Sequence, residues 1–346
     1  MLVVRPSRLT DLEALFEMAS SAAIGLTSLP RDRRMLEAYL EDSQRSFSRN
    51  VQKPRDERYL LVMEDVLSGK VVGCAAVIGR VGGFEPHYTY ELSSELKSSE
   101  SLGVSKTVET LHLTETHKGP SEIGTLFVRH DRRGGGGGRL MSLSRFLFMA
   151  SNRERFAKLV IAEMRGVSDQ YGASPFWDAI GRHFFELNFA EADFLSAADK
   201  QFIADLMPRY PIYVPMLAEE AQSCIGSVHA ETRPALKLLQ QEGFRFANAV
   251  DIFDAGPVYV TDTQAVRCIR EAKKARFTGL IASTDGASQF LISNDQLDVR
   301  VGMGAVQEVA EGEIHLEQSV ALALEIKLGA EILYVPARAT DGIKEE

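Results

Sequence analysis

A run of five glycines, Gly134 to Gly138, constrains this chain more than any other feature. It follows the apolar stretch Ile123-Gly124-Thr125-Leu126-Phe127-Val128 and the pair Arg132-Arg133. It leads into Arg139-Leu140-Met141-Ser142-Leu143-Ser144-Arg145-Phe146-Leu147-Phe148. The order reads as strand, glycine loop, helix. Residues without side chains let the backbone turn tightly and aim successive N–H groups at one point. A helix start behind them adds partial positive charge, so the arrangement suits a phosphate or pyrophosphate. A flexible linker is the plain alternative, but linkers seldom lie between a β-branched run and an amphipathic helix.

What the loop lacks narrows the ligand. A dinucleotide fingerprint needs a last glycine in G-x-G-x-x-G, and starts at Gly134 or Gly136 put Arg139 or Met141 there. A P-loop ends in Gly-Lys-Ser/Thr, whereas Gly138 is followed by Arg139. The spacing Arg132-x-x-Gly135-x-Gly137 resembles the loop with which GNAT acyltransferases hold the pyrophosphate of coenzyme A.

At 346 residues, two or more cores are expected. A net charge of −9 argues against a nucleic-acid partner, which would call for a basic face. The start Met1-Leu2-Val3-Val4-Arg5-Pro6 lacks the pattern of a secretory signal, and no apolar run nears the roughly 20 residues of a membrane span. Cys74, Cys224 and Cys268 are too widely separated for a disulfide framework or a metal motif. The expectation is a soluble, cytoplasmic protein with no metal site and no membrane contact.

Hydrophobic periodicity predicts a strand at 2–5, helices at 11–19 and 35–47, and strands at 59–65 and 71–78. Residues 84–121 are mixed and polar and read as an irregular strand-and-loop insert. A further strand is expected at 158–164. Ser174-Pro175 has the form of an N-cap followed by a first-turn proline, and Gly243 ends a helix that begins near Pro234. The pattern up to about residue 258 is that of an α+β domain, a mixed β-sheet flanked by helices. Residues 259–346 read as a small β-rich domain, with strands at 277–281, 289–292, 297–301 and 332–335 and a helix near 319–323. Turns are expected at Asp285-Gly286, Asn294-Asp295 and Gly302-Met303-Gly304.

Several blocks resemble one family closely. Gly25-Leu26-Thr27-Ser28-Leu29-Pro30, Ser121-Glu122-x-x-Thr125-Leu126-Phe127, Ala162-Glu163-Met164-Arg165-Gly166 and Ser174-Pro175-Phe176-Trp177 are similar to segments of bacterial arginine N-succinyltransferases. So are Leu206-Met207-Pro208, Ile225-Gly226-x-Val228-His229 and Asp251-Ile252-Phe253-Asp254-x-Gly256-Pro257. The resemblance implies a GNAT-like fold with a small C-terminal β-barrel, and transfer of the succinyl group of succinyl-CoA to the α-amine of L-arginine. Succinyl-CoA is then a co-substrate, and no cofactor is permanently bound. The resemblance puts the proton-transfer histidine at His229 and a succinyl-CoA contact at Leu126. The family often has His-Pro where this chain has His229-Ala230.

The chemistry asks for a group to move protons, and a histidine titrates near operating pH. His229 lies between a strand-like Ile225–Val228 and a helix beginning near Thr232, so a strand-end position is expected. His87 and His130 read as surface residues, and His112, His117 and His183 suggest no site. Arg132, Gly135 and Gly137 are the phosphate-loop candidates. A guanidinium is best met by a carboxylate, and Glu163 and Asp251 are the leading candidates beside Glu122 and Asp254. Trp177 reads as core packing. The alternatives are an ornithine-preferring enzyme, one subunit of an arginine/ornithine enzyme, or a non-catalytic partner of an active paralogue. A homodimer, or a heteromer with a related subunit, is the default assembly.

Overall fold

A computed structural model describes residues 1–21, 28–133, 135–169, 172–196, 201–282 and 289–339. The expectations for Gly25–Thr27, Gly134 and Asp285-Gly286 lie outside the described residues. The first half contains β1 (Leu2–Pro6), α1 (Leu12–Ser21), α2 (Arg33–Ser48), β2 (Arg58–Asp65), β3 (Lys70–Ile78), β4 (His87–Ser99), β5 (Val104–Thr116), β6 (Ser121–Val128), α3 (Gly137–Ser151) and β7 (Leu159–Glu163). Next come α4 (Pro175–Ala179), α5 (Arg182–Phe185), α6 (Phe189–Ser196), α7 (Gln201–Leu206), β8 (Ile212–Tyr213), α8 (Glu219–Cys224), α9 (Arg233–Gln241), β9 (Arg245–Val250) and β10 (Pro257–Asp262). The last part holds α10 (Arg267–Arg270), β11 (Lys273–Ile281), β12 (Phe290–Ser293), β13 (Val301–Gly304), β14 (Val306–Ala310), β15 (Glu313–Glu317), α11 (Gln318–Ala323) and β16 (Glu331–Pro336).

One mixed sheet carries these strands in the order β14-β15-β11-β16-β12-β13-β1-β2-β3-β6-β7-β10-β9-β4-β5-β8. Its centre is covered on both faces, which explains why β2 is almost continuously apolar. Leu60 and Val62 pack with α1 and α2, while the alternating Tyr59, Leu61 and Met63 pack with α3. Helix α3 is buried nearly all round, through Leu140, Met141, Leu143, Phe146, Leu147 and Phe148. Truncating Phe146 to Ala there costs about 3–5 kcal/mol. The expected caps form: Ser174 Oγ accepts from the Trp177 N–H, and Gly243 takes a φ of +99° after α9. Trp177 is core, stacked between Phe185 and Phe253 at 5.4 Å from each.

Three expectations are corrected. The polar insert is a regular hairpin, β4 and β5 pairing without a break from His87↔Thr116 to Ser99↔Val104. Its outer part is exposed on both faces, so no apolar alternation marks it. The Gly302-Met303-Gly304 segment is strand β13, not a turn. A Cβ on Gly302 would lie 3.0 Å from Met1 and one on Gly304 2.5 Å from Val320, so the glycines are there to let neighbours pack. The C-terminal strands do not close into a barrel among the described residues. They extend the same sheet through β13 against β1, pairing Val3↔Gly302 and Val4↔Val301. A boundary at 258/259 would fall inside β10, which is held between β7 and β9.

Candidate active site

Strands β6 and β7 run parallel, but they pair only at Ser121↔Val160 and Glu122↔Ile161. Beyond those positions the two strands separate. Strand β6 also bulges there: its register against β3 shifts between Cys74 and Ala76, and Thr125 takes a φ of +52°. A bulge redirects side chains and unpairs backbone groups, as at many functional sites. Gly124, Thr125 and Leu126 consequently face the gap.

Three adjoining cavities meet at this gap. A groove of about 1220 Å³ is lined by Leu126, Phe127 and Val128, by Arg129, His130, Arg133 and Gly138, and by Arg165, Glu231 and Thr232. An inner cavity of about 220 Å³ shares Leu126, Arg165, Thr232 and Ala235 with the groove. A polar cavity of about 720 Å³ shares Glu122, Gly124, Thr125, Glu163, Asp251 and Phe253 with the inner one.

The glycine loop shapes one end of the groove. Gly135 and Gly136 have φ of +64° and +91°, and Gly136 caps α3. A Cβ on Gly137 would come within 2.6 Å of the Arg132 carbonyl oxygen, so the close turn excludes side chains there. The first N–H groups of α3 lack intrahelical acceptors and carry the helix's positive end. Arg132 stands outside the groove wall, 3.2 Å from Asp65. Arg133 lies on the wall, its Nε–H donating to the Val128 carbonyl at 3.0 Å.

His229 lies in a loop, since Ile225–Val228 forms no strand; α8 ends at Cys224 and a short turn follows at Ala230–Thr232. The backbone anchors it: its N–H donates to the Arg165 carbonyl at 2.9 Å. The Glu231 N–H donates to Nδ1 at 3.3 Å, which places the proton of the neutral ring on Nε2. Burial, and then the Arg165 cation, hold His229 below the ordinary histidine range, against an opposing pull from Glu231. Arg165, Glu231 and Thr232 form the wall beside it, while the His229 ring is not itself a wall residue.

Three carboxylates gather at the other end. Glu122, Glu163 and Asp251 line both the inner and the polar cavity. Asp251 Oδ1 accepts from the N–H groups of Phe253 and Asp254 at 2.7 and 2.9 Å. Burial, and next the charge of Glu163, push its carboxyl up to about 6. Asp254 is used differently. Its two oxygens accept from Gly166 N–H at 2.7 Å and Gly256 N–H at 2.8 Å, clamping the end of β7 to the turn before β10.

A family model described as "Arginine N-succinyltransferase beta subunit" matches residues 2–268. The chain belongs to that family. It is 40% identical over 340 residues to "Arginine N-succinyltransferase subunit beta" of Pseudomonas aeruginosa, covering 98% of this chain and 99% of that protein. It is 43% identical over 274 residues to "Arginine N-succinyltransferase" of Escherichia fergusonii, covering 79% of each. Among solved structures it is similar to subunit AI of the arginine/ornithine succinyltransferase of Pseudomonas aeruginosa, at 34% identity and a TM-score of 0.88 over 98% of this chain and 99% of that one.

Two further residues line these cavities, one read from sequence as a surface position and one not singled out there. His87 is buried rather than on the surface, lines the polar cavity and lies 3.1 Å from Glu163. No sequence signal marks it. Arg145 lines the inner cavity, and its signal was available: a single charge inside the apolar run 140–149. Cys224 is a buried thiol whose pKa burial raises, a poor setting for a thiolate nucleophile. Among the described residues, no cluster of His, Cys, Asp and Glu could hold a metal, and no helix is long and apolar enough to cross a membrane.

Proposed function

We propose that this protein is an enzyme that transfers the succinyl group of succinyl-CoA to the α-amine of L-arginine, the opening step of arginine catabolism by succinylation. The carrying observation is the gap between β6 and β7, with the glycine turn into α3 at one end and three carboxylates at the other. Identity of 40% over 340 residues, nearly the full length of a named arginine N-succinyltransferase subunit, supports the reading. The chain up to and including β10 then works as a GNAT-type acyltransferase domain, and the residues after β10 support it. Every wall residue of the three cavities lies at or before Asp254.

In this mechanism the coenzyme A pyrophosphate lies over Gly135–Gly138, with Arg133 and Arg129 beside it. The pantetheine arm follows β6, and the backbone N–H at Leu126 polarises the thioester oxygen. Arginine enters from the polar cavity, with its guanidinium toward Glu163 and Asp251. Its α-ammonium loses one proton, and the amine attacks the thioester carbon. The C–S bond breaks as the tetrahedral adduct collapses. The amide nitrogen sheds a second proton and the leaving thiolate gains one, so one proton is released per turnover. His229, anchored by its N–H on the Arg165 carbonyl beside this wall, carries these protons. No covalent acyl-enzyme and no resident cofactor are needed.

The test is direct: the purified chain, given succinyl-CoA and L-arginine, should release free coenzyme A thiol and form N-succinylarginine. Absence of both products sinks the proposal. The similar solved structure is a subunit of an arginine/ornithine succinyltransferase, which favours a second reading. Under it, the chain accepts ornithine, or works as a heteromer with a related subunit. The ratio of kcat/KM for the two amino acids, and the mass of the purified assembly, decide between them. The site of action is proposed to be the cytoplasm.

A further inference from the structure

Among the described residues, no carboxylate answers the charge of Arg145. It projects from the middle of α3 and is only 2% exposed. Its Nε–H donates to the Ser142 carbonyl at 2.9 Å, its Nη2 to Ser142 Oγ at 3.0 Å, and its Nη1 to the Gly124 carbonyl at 3.4 Å. All three acceptors are neutral. A guanidinium has five N–H donors, so one on each terminal nitrogen is left over. Among the described residues no carboxylate forms an ion pair with it. Burial alone pulls its pKa down to about 9, and no neighbouring charge contributes.

Burying a cation without an anion is costly, and proteins rarely keep one without a use. Arg5 and Arg267 show the ordinary solution, paired with Asp11 at 2.8 Å and Glu242 at 2.7 Å, while the buried Arg155 donates to the Ser46 and Arg49 carbonyls and the Tyr59 hydroxyl, has Glu154 at 4.0 Å, and lines none of the three cavities. Arg145 instead faces the inner cavity of about 220 Å³, which opens at Leu126 onto the groove. The same wall carries Glu122, Glu163, Asp251 and Asp254, none of them in an ion pair with Arg145.

The geometry points to Arg145 as the residue that binds the free carboxylate of the succinyl group and so selects the acyl donor. This rests on the succinyl-transfer reading above. With the thioester at Leu126, the four-carbon acyl chain enters the inner cavity, and its terminal carboxylate is the one anionic group of the donor on that side. Two N–H groups on a planar fork suit a carboxylate. Arg165, the other cation on this wall, is already met by Glu231 at 3.7 Å and by Ser168 Oγ at 3.0 Å.

The test compares succinyl-CoA with butyryl-CoA, which has the same chain length but ends in a methyl group. Equilibrium binding of each donor is measured by calorimetry and turnover with arginine by thiol release, in wild-type protein, Arg145→Met, Arg145→Lys and Arg165→Met. Wild type should prefer succinyl-CoA by about 100-fold or more, because a buried donor left without its acceptor rejects the neutral analogue. Arg145→Met should erase that preference by weakening succinyl-CoA while leaving butyryl-CoA within a few-fold. Equal losses on both donors, or loss of the preference in Arg165→Met instead, would overturn the assignment. If Arg145→Met does not fold, Arg145→Lys decides: a clear fall in the preference supports the role and an unchanged ratio refutes it. The binding arm needs no turnover, so a wild type that binds succinyl-CoA selectively but does not acylate arginine defeats the functional reading alone.

Discussion

His87 Nε2 lies 3.1 Å from Glu163 Oε1, across the wall of the cavity that Asp251 also faces. Glu163 ends β7 and lines both the inner and the polar cavity, within the reach of a cationic substrate. Glu163→Gln keeps the shape and removes the charge. It should cost arginine about 1.5–3 kcal/mol of transition-state binding, seen as roughly a 10- to 150-fold loss in kcat/KM. Citrulline, the uncharged analogue, should bind the variant and the wild type alike. Equal losses for arginine and citrulline would move guanidinium recognition to Asp251 or Glu122.

Asp251 gives the site a pH dependence of known sign. Its carboxyl is pushed up to about 6 by burial and by Glu163, so it is neutral below that pH and charged above it. The KM for arginine should therefore rise as pH falls through about 6, and arginine binding near that pH should release protons. Calorimetry in buffers of different ionisation enthalpy reads the release directly. The folded protein also holds this proton more tightly than the unfolded chain. The group's contribution to stability is thus full below about 4, the ordinary carboxyl value, and is lost as pH rises through the folded value. Asp251→Asn should raise the melting temperature at pH 8 more than at pH 4. A proton release unchanged in Asp251→Asn would exclude this carboxyl as its source.

His229→Gln should lower kcat by roughly 10²–10⁴-fold while succinyl-CoA binding changes little. The wild-type kcat should rise through a pKa below the ordinary histidine value, because burial and Arg165 disfavour the imidazolium. That limb should persist in Asp251→Asn and disappear in His229→Gln. A His229→Gln enzyme with normal turnover and the same limb would mean that the proton leaves through water.

Gly135 offers a clean probe of the phosphate site. A Cβ there meets nothing within 4 Å, although its φ of +64° disfavours most side chains. Gly135→Asn tolerates that backbone conformation and should cost little. Gly135→Glu should fold with a penalty of about 1–2 kcal/mol, yet set a negative charge beside the helix start. The KM for succinyl-CoA should rise steeply in the glutamate variant and not in the asparagine one, with the arginine constant unchanged in both. Identical succinyl-CoA constants in the two variants would place the pyrophosphate elsewhere.

The sequence by itself determined what is encoded within a few consecutive residues. The glycine turn into α3, the Ser174-Pro175 helix start, the Gly243 helix end and the two-faced apolar strands β2 and β3 all follow from local backbone preference and side-chain period. Resemblance added His229 and Leu126 without saying what surrounds them. The exposed hairpin of β4 and β5 escaped because pairing, not alternation, holds it. Only the tertiary structure decided how β6 and β7 part after two paired positions, which exposes Leu126 to the gap and brings Glu122, Glu163 and Asp251 together from distant segments. It also chose Arg133 over Arg132 for the groove, since Asp65 on another strand draws Arg132 away. His87 and Glu163 are 76 positions apart in sequence and meet at 3.1 Å. Such meetings depend on strand order and register, which are set by how the whole chain buries its apolar surface, and no local pattern carries that information.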